Sequence, residues 1–461
     1  MDEQTRRDFL KIIGAAGLGG SFSSLLNGCS HLESSLISHP ARRPNVVFIF
    51  TDDQGSVDVN CYGAKDLYTP NMDRLARQGV RFTQFYVRAP ICSPSRASLL
   101  TGRTPQHAGL TDNAKSDKGL PSQELTIAEV LKPLGYRTAC IGKWHLGAGP
   151  GTRPNDQGFD EFFGHLSGCI DNYSHFAHWK KPTHHDLWEN DKEIWAEGSF
   201  FPDLVAQKAC RFIQRNRRNP FFLYLAFNMP HYPLQARAKY RRMYAHLEEP
   251  RKSYAAFLSN LDEKIGQVVG TIDRLGLRKD TLIVLLSDNG HSTEARNNYG
   301  GGSAGPYRGF KSSLWEGGIR LPCIVSWPGH IPQNEVRDQV AASTDWLPTI
   351  AAYCSAALPP GLLDGLDIRS VIASSQASSP PRILHWQLYE QWAVRDGDWK
   401  LVVNPPLDPK TPGQLSDLVF LGNLAQDVSE THNFAREHPE IVDRLTKLHQ
   451  DWVRLNNNSR P

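Results

Sequence analysis

The chain has 461 residues, with 51 Lys and Arg against 48 Asp and Glu, for a formal net charge of +3. That length supports a large core, with one big domain and a smaller one as the natural division. The near balance of charge excludes a bulk electrostatic case for nucleic acid, and eight scattered cysteines without zinc-finger spacing exclude a disulfide scaffold.

The N-terminus reads as an address. Thr5-Arg6-Arg7-Asp8-Phe9-Leu10-Lys11 resembles a twin-arginine export signal. The Gly- and Ser-diluted apolar stretch behind it falls short of the ~20 residues of a spanning helix. It ends at Leu26-Asn27-Gly28-Cys29, close to the site at which bacterial lipoproteins are cleaved and lipidated. Asn27 departs from the usual small residue there, so a plain cleaved signal is the alternative. The expectation is a signal over 1–28, a tether over 29–43 with lipid on Cys29, and export to the periplasm or cell surface.

From Pro44 onward short apolar runs alternate with helical patterns, which predicts an α/β sheet flanked by helices. Val46–Phe50 is apolar at every position, as a strand buried on both faces requires. A helix is predicted over Pro70–Gln78, a strand over Val80–Tyr86, a helix over Ser95–Thr101, another over Glu124–Leu134 and a strand over Tyr136–Ile141. Next come a helix over Asp203–Arg215 and a strand over Phe221–Phe227. A long helix over Lys252–Leu275 carries Leu258, Leu261, Ile265, Val268 and Ile272 on one stripe. A strand at Thr281–Ser287, a strand at Leu321–Trp327 and a helix at Trp346–Tyr353 complete a domain over 44–357. The texture changes at Pro359-Pro360-Gly361. Over 358–461 the Asp396-Gly397 turn between alternating strands predicts a hairpin. With Arg382–Tyr389 and a helix over Pro439–Trp452, it makes a small antiparallel sheet covered by a helix.

Two of the apolar strands end in adjacent oxygen ligands, Asp52-Asp53 and Asp288-Asn289. In parallel sheets the carboxyl ends of strands share a crevice. Three carboxylates gathered there repel one another unless a cation joins them. An all-oxygen shell suits Ca²⁺, with Mg²⁺ second, rather than zinc. Cys92 lies in Ile91-Cys92-Ser93-Pro94-Ser95-Arg96, and a thiolate is too soft for such a shell.

The run Cys92-Ser93-Pro94-Ser95-Arg96-Ala97-Ser98-Leu99-Leu100-Thr101-Gly102-Arg103 resembles the signature of the formylglycine-dependent sulfatases. The similarity continues through Asp52-Asp53, Gly142-Lys143-Trp144-His145-Leu146-Gly147, Pro230-His231-Tyr232-Pro233, Ser287-Asp288-Asn289-Gly290 and Lys311 ahead of Trp315-Glu316-Gly317-Gly318-Ile319-Arg320. These motifs stand in the family's order and span most of residues 44–403. The resemblance implies an alkaline phosphatase-like fold with a large mixed, mainly parallel sheet, and a Cys92 oxidised to formylglycine by a maturase. It implies one Ca²⁺ held by Asp52, Asp53, Asp288, Asn289 and the modified Cys92, whose hydrate attacks the sulfur of a sulfate monoester. Lys143 and Lys311 would grip sulfate oxygens, and Arg96 would steady the hydrate and the carboxylates. His231 would protonate the departing oxygen, and His145 would take the proton that releases sulfate; an imidazole pKa of ~6.5 suits both jobs.

Substrate choice is expected in Asp171–Trp195. This segment holds His175, His178, His184 and His185 with Trp179, Trp188 and Trp195, rings and cations suited to a sulfated glycan. Two alternatives stay open: a phosphate or phosphonate ester hydrolase, and a lipoprotein that binds sulfated glycans without cleaving them if Cys92 is never converted. Apart from Cys29 and Cys92, the six other cysteines read as buried thiols with room for one disulfide.

Overall fold

Four strands set the architecture: β1 (Asn45–Asp52), β2 (Arg137–Lys143), β3 (Phe221–Pro230) and β4 (Thr281–Ser287). In this computed structural model, which describes residues 43–458 except 116–117, 179–180, 362, 380 and 407–416, β1 lies between β3 and β4 and runs parallel to both. The export signal, Cys29 and Trp179 lie outside the described residues.

β1 is apolar throughout because each face meets its own core. Val46, Phe48 and Phe50 pack with Trp346, Leu99 and Leu100, while Val47 and Ile49 pack with Val205, Leu258 and Ile265. The first layer includes α1 (Cys92–Thr101) and the helix Trp346–Cys354; the second includes α2 (Phe201–Arg215) and α3 (Arg251–Arg274). All five residues of the predicted stripe on α3 are fully buried in that second core.

The full sheet has ten strands, in the order Glu335–Arg337, Gly79–Phe82, Cys323–Ser326, β4, β1, β3, β2, Glu161–His165, Trp188–Glu189 and Lys192–Glu193. The five from β4 to Glu161–His165 are mutually parallel, so their carboxyl ends open on one edge. A separate four-stranded antiparallel sheet, Ile383–Leu388, Gln391–Asp396, Trp399–Val403 and Val419–Asn423, carries the helix Pro439–Asn458. Its Asp396–Trp399 hairpin turns through Gly397 at φ 62°, a left-handed conformation that favours glycine. Trp386 of that sheet donates its indole N–H to the Val87 carbonyl (2.8 Å), tying it to the larger core.

Several elements differ from expectation for local reasons. The strand predicted over Val80–Tyr86 breaks at Thr83, whose N–H turns to the Arg337 carbonyl (2.8 Å). Phe85–Tyr86 pairs instead with Ala341–Ala342. The helix predicted from Glu124 starts at Ile127, where Thr126 and Glu129 cap each other, and Lys132–Leu134 is 3-10 rather than α. The helix expected from Ser95 already begins at Cys92, because Pro94 is tolerated in a first turn where no N–H partner is needed. The described cysteines are all free thiols, and the anticipated disulfide is absent among them.

Candidate active site

Five neighbouring strand ends deliver the site. β4 hands over Asp288 and Asn289, β1 Asp52 and Asp53, β3 His231, β2 Lys143 and then His145, and the fifth strand ends on His165. Asp53 and His145 both hold positive φ, 61° and 54°, unusual for residues with a side chain. At Asp53 this bend aims the backbone N–H at Asp288 Oδ1 (3.1 Å). α1 then places Cys92 in its first turn, with its Sγ 3.7 Å from Asp52 Oδ1.

The charges interlock. Lys143 Nζ sits 2.8 Å from Asp52 Oδ2, and Lys311 Nζ lies 2.8 Å from Asp53 Oδ1. Arg96 donates to Asp288 Oδ2 at 2.8 Å and to the Lys143 carbonyl at 3.2 Å, and stands 3.6 Å from Asp52 Oδ1. Its guanidinium lies 5.1 Å from the centre of the Phe50 ring. Burial alone would raise Asp52, but Lys143, His231, Arg96 and Lys311 outweigh it and hold the carboxyl well below its usual range. Burial, then repulsion from Asp52, pushes Asp288 up. The same ion pairs overcome burial at Lys143 and Lys311, which stay charged.

The predicted residues come together with one rearrangement. Asp52, Asp53, Cys92 and His231 form the group whose ligand atoms lie within 4.8 Å of one another; among the described residues no other group of His, Cys, Asp and Glu does so. His231, which the sequence suggested only as an acid, therefore stands inside the cluster, its Nε2 3.6 Å from Asp53 Oδ2. Asp288 faces Arg96 and the Asp53 amide rather than joining that group. Asn289 donates Nδ2–H to Asp53 Oδ1 (2.7 Å), while its Oδ1 is buried without a partner.

This donor set fits a hard divalent cation. Asp52 and Asp53 supply carboxylate oxygens, and the orphaned Asn289 oxygen is a buried acceptor in need of a positive partner. Sulfur is the misfit. Burial pushes the Cys92 thiol well above its usual range, so at neutral pH it is neither a thiolate ligand nor a thiolate nucleophile.

Both histidines are constrained. His231 Nδ1 contacts the Tyr232 carbonyl (2.8 Å), and burial pushes its pKa down to about 4 against the pull of Asp53 and Asp52. The His145 carbonyl accepts from Ser93 Oγ (2.6 Å), which couples its loop to the residue after Cys92. Three contributors were not legible in the sequence. His165 is buried beside Lys143 in register, its Nε2 without a partner. Asn113 Oδ1 accepts the Ser93 amide (3.1 Å). Gly168 passes so close to the His145 ring that a Cβ there would meet its Cε1 at 2.8 Å. The Phe162-Phe163-Gly164-His165 run was the one available hint, a short strand ending in a polar residue.

In the predicted specificity segment, Trp188–Glu189 pairs antiparallel with the strand that ends on His165. His175 is buried against the Ser199 carbonyl (3.1 Å), His185 is buried, and His178 and His184 are exposed. They form no metal cluster among the described residues.

A family model described as Sulfatase matches residues 44–355. Human arylsulfatase A (Homo sapiens) is 34% identical over 456 residues, which cover 88% of this chain and 87% of that protein. N-acetylgalactosamine-6-sulfatase of Mus musculus is 34% identical over 382 residues, 77% of this chain and 71% of that protein. Among solved structures, Ps i-CgsB in complex with k-i-k-neocarrahexaose aligns with a TM-score of 0.80 at 29% identity, over 89% of this chain and 93% of that one.

Proposed function

This chain belongs to the sulfatase family and is a sulfuric ester hydrolase. From that premise we propose that it hydrolyses sulfate monoesters of carbohydrates, using an oxidised Cys92 and one divalent cation, Ca²⁺ before Mg²⁺. The observation that carries the mechanism is the position of Cys92: first in a buried helix, beside Asp52, in a group of hard ligands where a thiol has no chemistry to do. The carbohydrate reading draws on the N-acetylgalactosamine-6-sulfatase among its relatives and the neocarrahexaose complex among its structural neighbours.

When bound, the cation supplies positive charge for anionic oxygens, and the oxidised Cys92 supplies an oxygen nucleophile in place of sulfur. Asp52, Asp53, Asp288 and Asn289 are the residues that would hold the cation together with oxidised Cys92, with His231 close by and Arg96 tying Asp288 to the β2 end. Three carboxylates face three fixed cations here, so the protein's own charges cancel and leave no surplus of either sign. Lys143 and Lys311, rigidly buried, present ammonium groups to ester oxygens and stabilise the charge that grows on them. His231 delivers a proton to the departing alcohol; burial holds its pKa near 4, so the anionic ester beside it is what favours the charged form. His145 accepts the proton whose removal frees sulfate. Arg96 keeps Asp288 and the β2 end in place through its two hydrogen bonds.

Cys92 is only 2% exposed in the folded chain, so a maturase must reach it before folding. Under the same reading the export signal then carries the folded protein out by the twin-arginine route, with lipid on Cys29. The test is mass spectrometry of the tryptic peptide Ala89–Arg96 from protein purified out of its native host. Formylglycine or its hydrate supports the proposal. An intact cysteine in exported protein overturns the mechanism and favours a sulfated-glycan-binding lipoprotein. Equal turnover of phosphate and sulfate monoesters would favour the ester hydrolase alternative.

A further inference from the structure

Next to the catalytic centre lies a cavity of about 610 Å³ that the mechanism above does not use. The same loops build both. Ala114 on its wall donates its N–H to Ser93 Oγ (2.9 Å), the hydroxyl that in turn donates to the His145 carbonyl. Gly147 follows His145 by two residues, and Leu166 and Ser167 follow His165 directly. A ligand seated in the catalytic centre therefore has this cavity as its neighbour.

The chemistry of the walls is cationic and prearranged. Lys115, Arg153 and Lys181 line it, and none has a carboxylate partner among the described residues. Arg153 is held in place: its Nε donates to the Ala148 carbonyl (2.8 Å), and its guanidinium lies 4.8 Å from the centre of the Trp188 ring. The Trp188 indole donates to Asp186 Oδ1 (2.8 Å). Asp186 also accepts the Leu166 and Ser167 amides (3.1 and 2.8 Å), and no ion pair joins it to a wall cation among the described residues. His185 adds an orphan: its Nδ1 contacts Glu193 Oε1 (2.8 Å), and its buried Nε2 has no partner. Its ring is stacked on Trp195 with centroids 3.9 Å apart. A surface that merely solvates lysines needs neither a clamped guanidinium nor a buried unpaired imidazole nitrogen.

We propose that this cavity is a subsite for the sugar adjoining the one that is cleaved, and that it recognises an anionic group on that sugar. The substrate is then a polyanionic oligosaccharide rather than an isolated monosulfated ester. This rests on the sulfatase reading. Arg153, Lys115 and Lys181 meet the sulfate or carboxylate oxygens, His185 Nε2 meets a hydroxyl or anionic oxygen, and Trp188 offers an aromatic edge to the ring.

The test uses enzyme with oxidised Cys92 and metal loaded, 4-nitrophenyl sulfate as reporter, and hexasaccharides as competitors. A carrageenan hexasaccharide carries sulfates only, a chondroitin sulfate hexasaccharide carries carboxylates as well, and chemically desulfated carrageenan hexasaccharide is the neutral control. At least one anionic hexasaccharide is expected to inhibit tenfold or more tightly than the neutral one, and the better of the two identifies the anion. In Lys115→Ala/Arg153→Gln/Lys181→Ala that gap closes to within about threefold while reporter kcat/KM stays within twofold. A gap that persists in the variant, or the absence of any gap in the wild type, overturns the subsite. Equal losses of reporter turnover and of inhibition overturn it too, by showing general damage. Failure of the loaded wild type to turn over any sulfate ester would instead overturn the sulfatase reading itself.

Discussion

Replacing Gly168 by alanine tests the placement of His145 without touching any charged group. The backbone at Gly168 does not hold a left-handed φ, and the added Cβ would lie 2.8 Å from Cε1 and 2.9 Å from Nε2 of the imidazole. Carbon atoms rest at about 3.5–4.0 Å, so the ring has to move by roughly 0.8 Å. It is the far end of a side chain and can swing, so the stability cost is small, about 1 kcal/mol, or a Tm loss of about 3 °C. Catalysis is less forgiving: a misplacement near 1 Å costs up to about a hundredfold. Gly168→Ala is therefore expected to lose about 10- to 100-fold in kcat on an aryl sulfate, with metal content and far-UV circular dichroism unchanged. The control is a double-mutant cycle with His145→Ala, in which the Gly168 change should cost almost nothing. Full kcat in Gly168→Ala would refute the reasoning. A loss of the same size in the His145→Ala background would show that the damage travels by another route.

Metal removal should abolish turnover reversibly: chelation followed by desalting gives inactive protein that Ca²⁺ restores better than Mg²⁺. The ion should add about 2.7 kcal/mol to stability when present at a hundred times its Kd. Full activity in protein shown to be metal-free by emission spectroscopy would sink this. Arg96→Met leaves Asp288 and Asp52 fully buried with a cation missing, a change expected to cost about 3–5 kcal/mol in denaturant unfolding. Arg96→Lys should rescue little, because one ammonium cannot span Asp288 and the Lys143 carbonyl as the guanidinium does; a cost below about 1 kcal/mol for either would contradict it. In the smaller sheet, burial pushes Glu430 up to about 7, with Lys400 opposing and Glu316 adding to the rise. A carboxyl raised on folding contributes stability that is complete below its unfolded pKa and is lost as pH climbs through the folded one. Glu430 therefore costs stability progressively between about pH 4.5 and 7, while His165, His231, His385 and His449, lowered by burial to about 4, 4, 3 and 4, add stability across much of the same window. Glu316, held down at about 2, adds a rising slope only at the low end, where its unfolded carboxyl still binds a proton, whereas Asp262, pushed up to about 6 by burial, adds to the fall. Glu430→Gln should therefore make Tm rise more steeply with pH across this window than in the wild type, and a difference between the two profiles that stays unchanged with pH would refute the assignment.

Much of the fold and part of the site can be read without coordinates, because they are written in local chemistry. A run such as Val46–Phe50 must be covered on both faces, and Asp52-Asp53 or Asp288-Asn289 behind such runs must sit where strands end. Cys92, Pro94 and Arg96 fall within one helical turn of each other, so their relation survives any arrangement of the rest. The sequence by itself thus determined the α/β class, the central strands and the sulfatase signature. It did not determine who stands beside whom. That β1 lies between β3 and β4, that Lys143 pairs with Asp52 and Lys311 with Asp53, and that His231 joins Cys92 while Asp288 turns to Arg96 all follow from strand order and register. These depend on contacts between residues far apart in the chain, about which local propensity is silent. The same holds for His165, whose strand is too short to announce itself, and for the cationic cavity, whose walls come from four separate segments. Only the packing of the sheet brings them to a common edge.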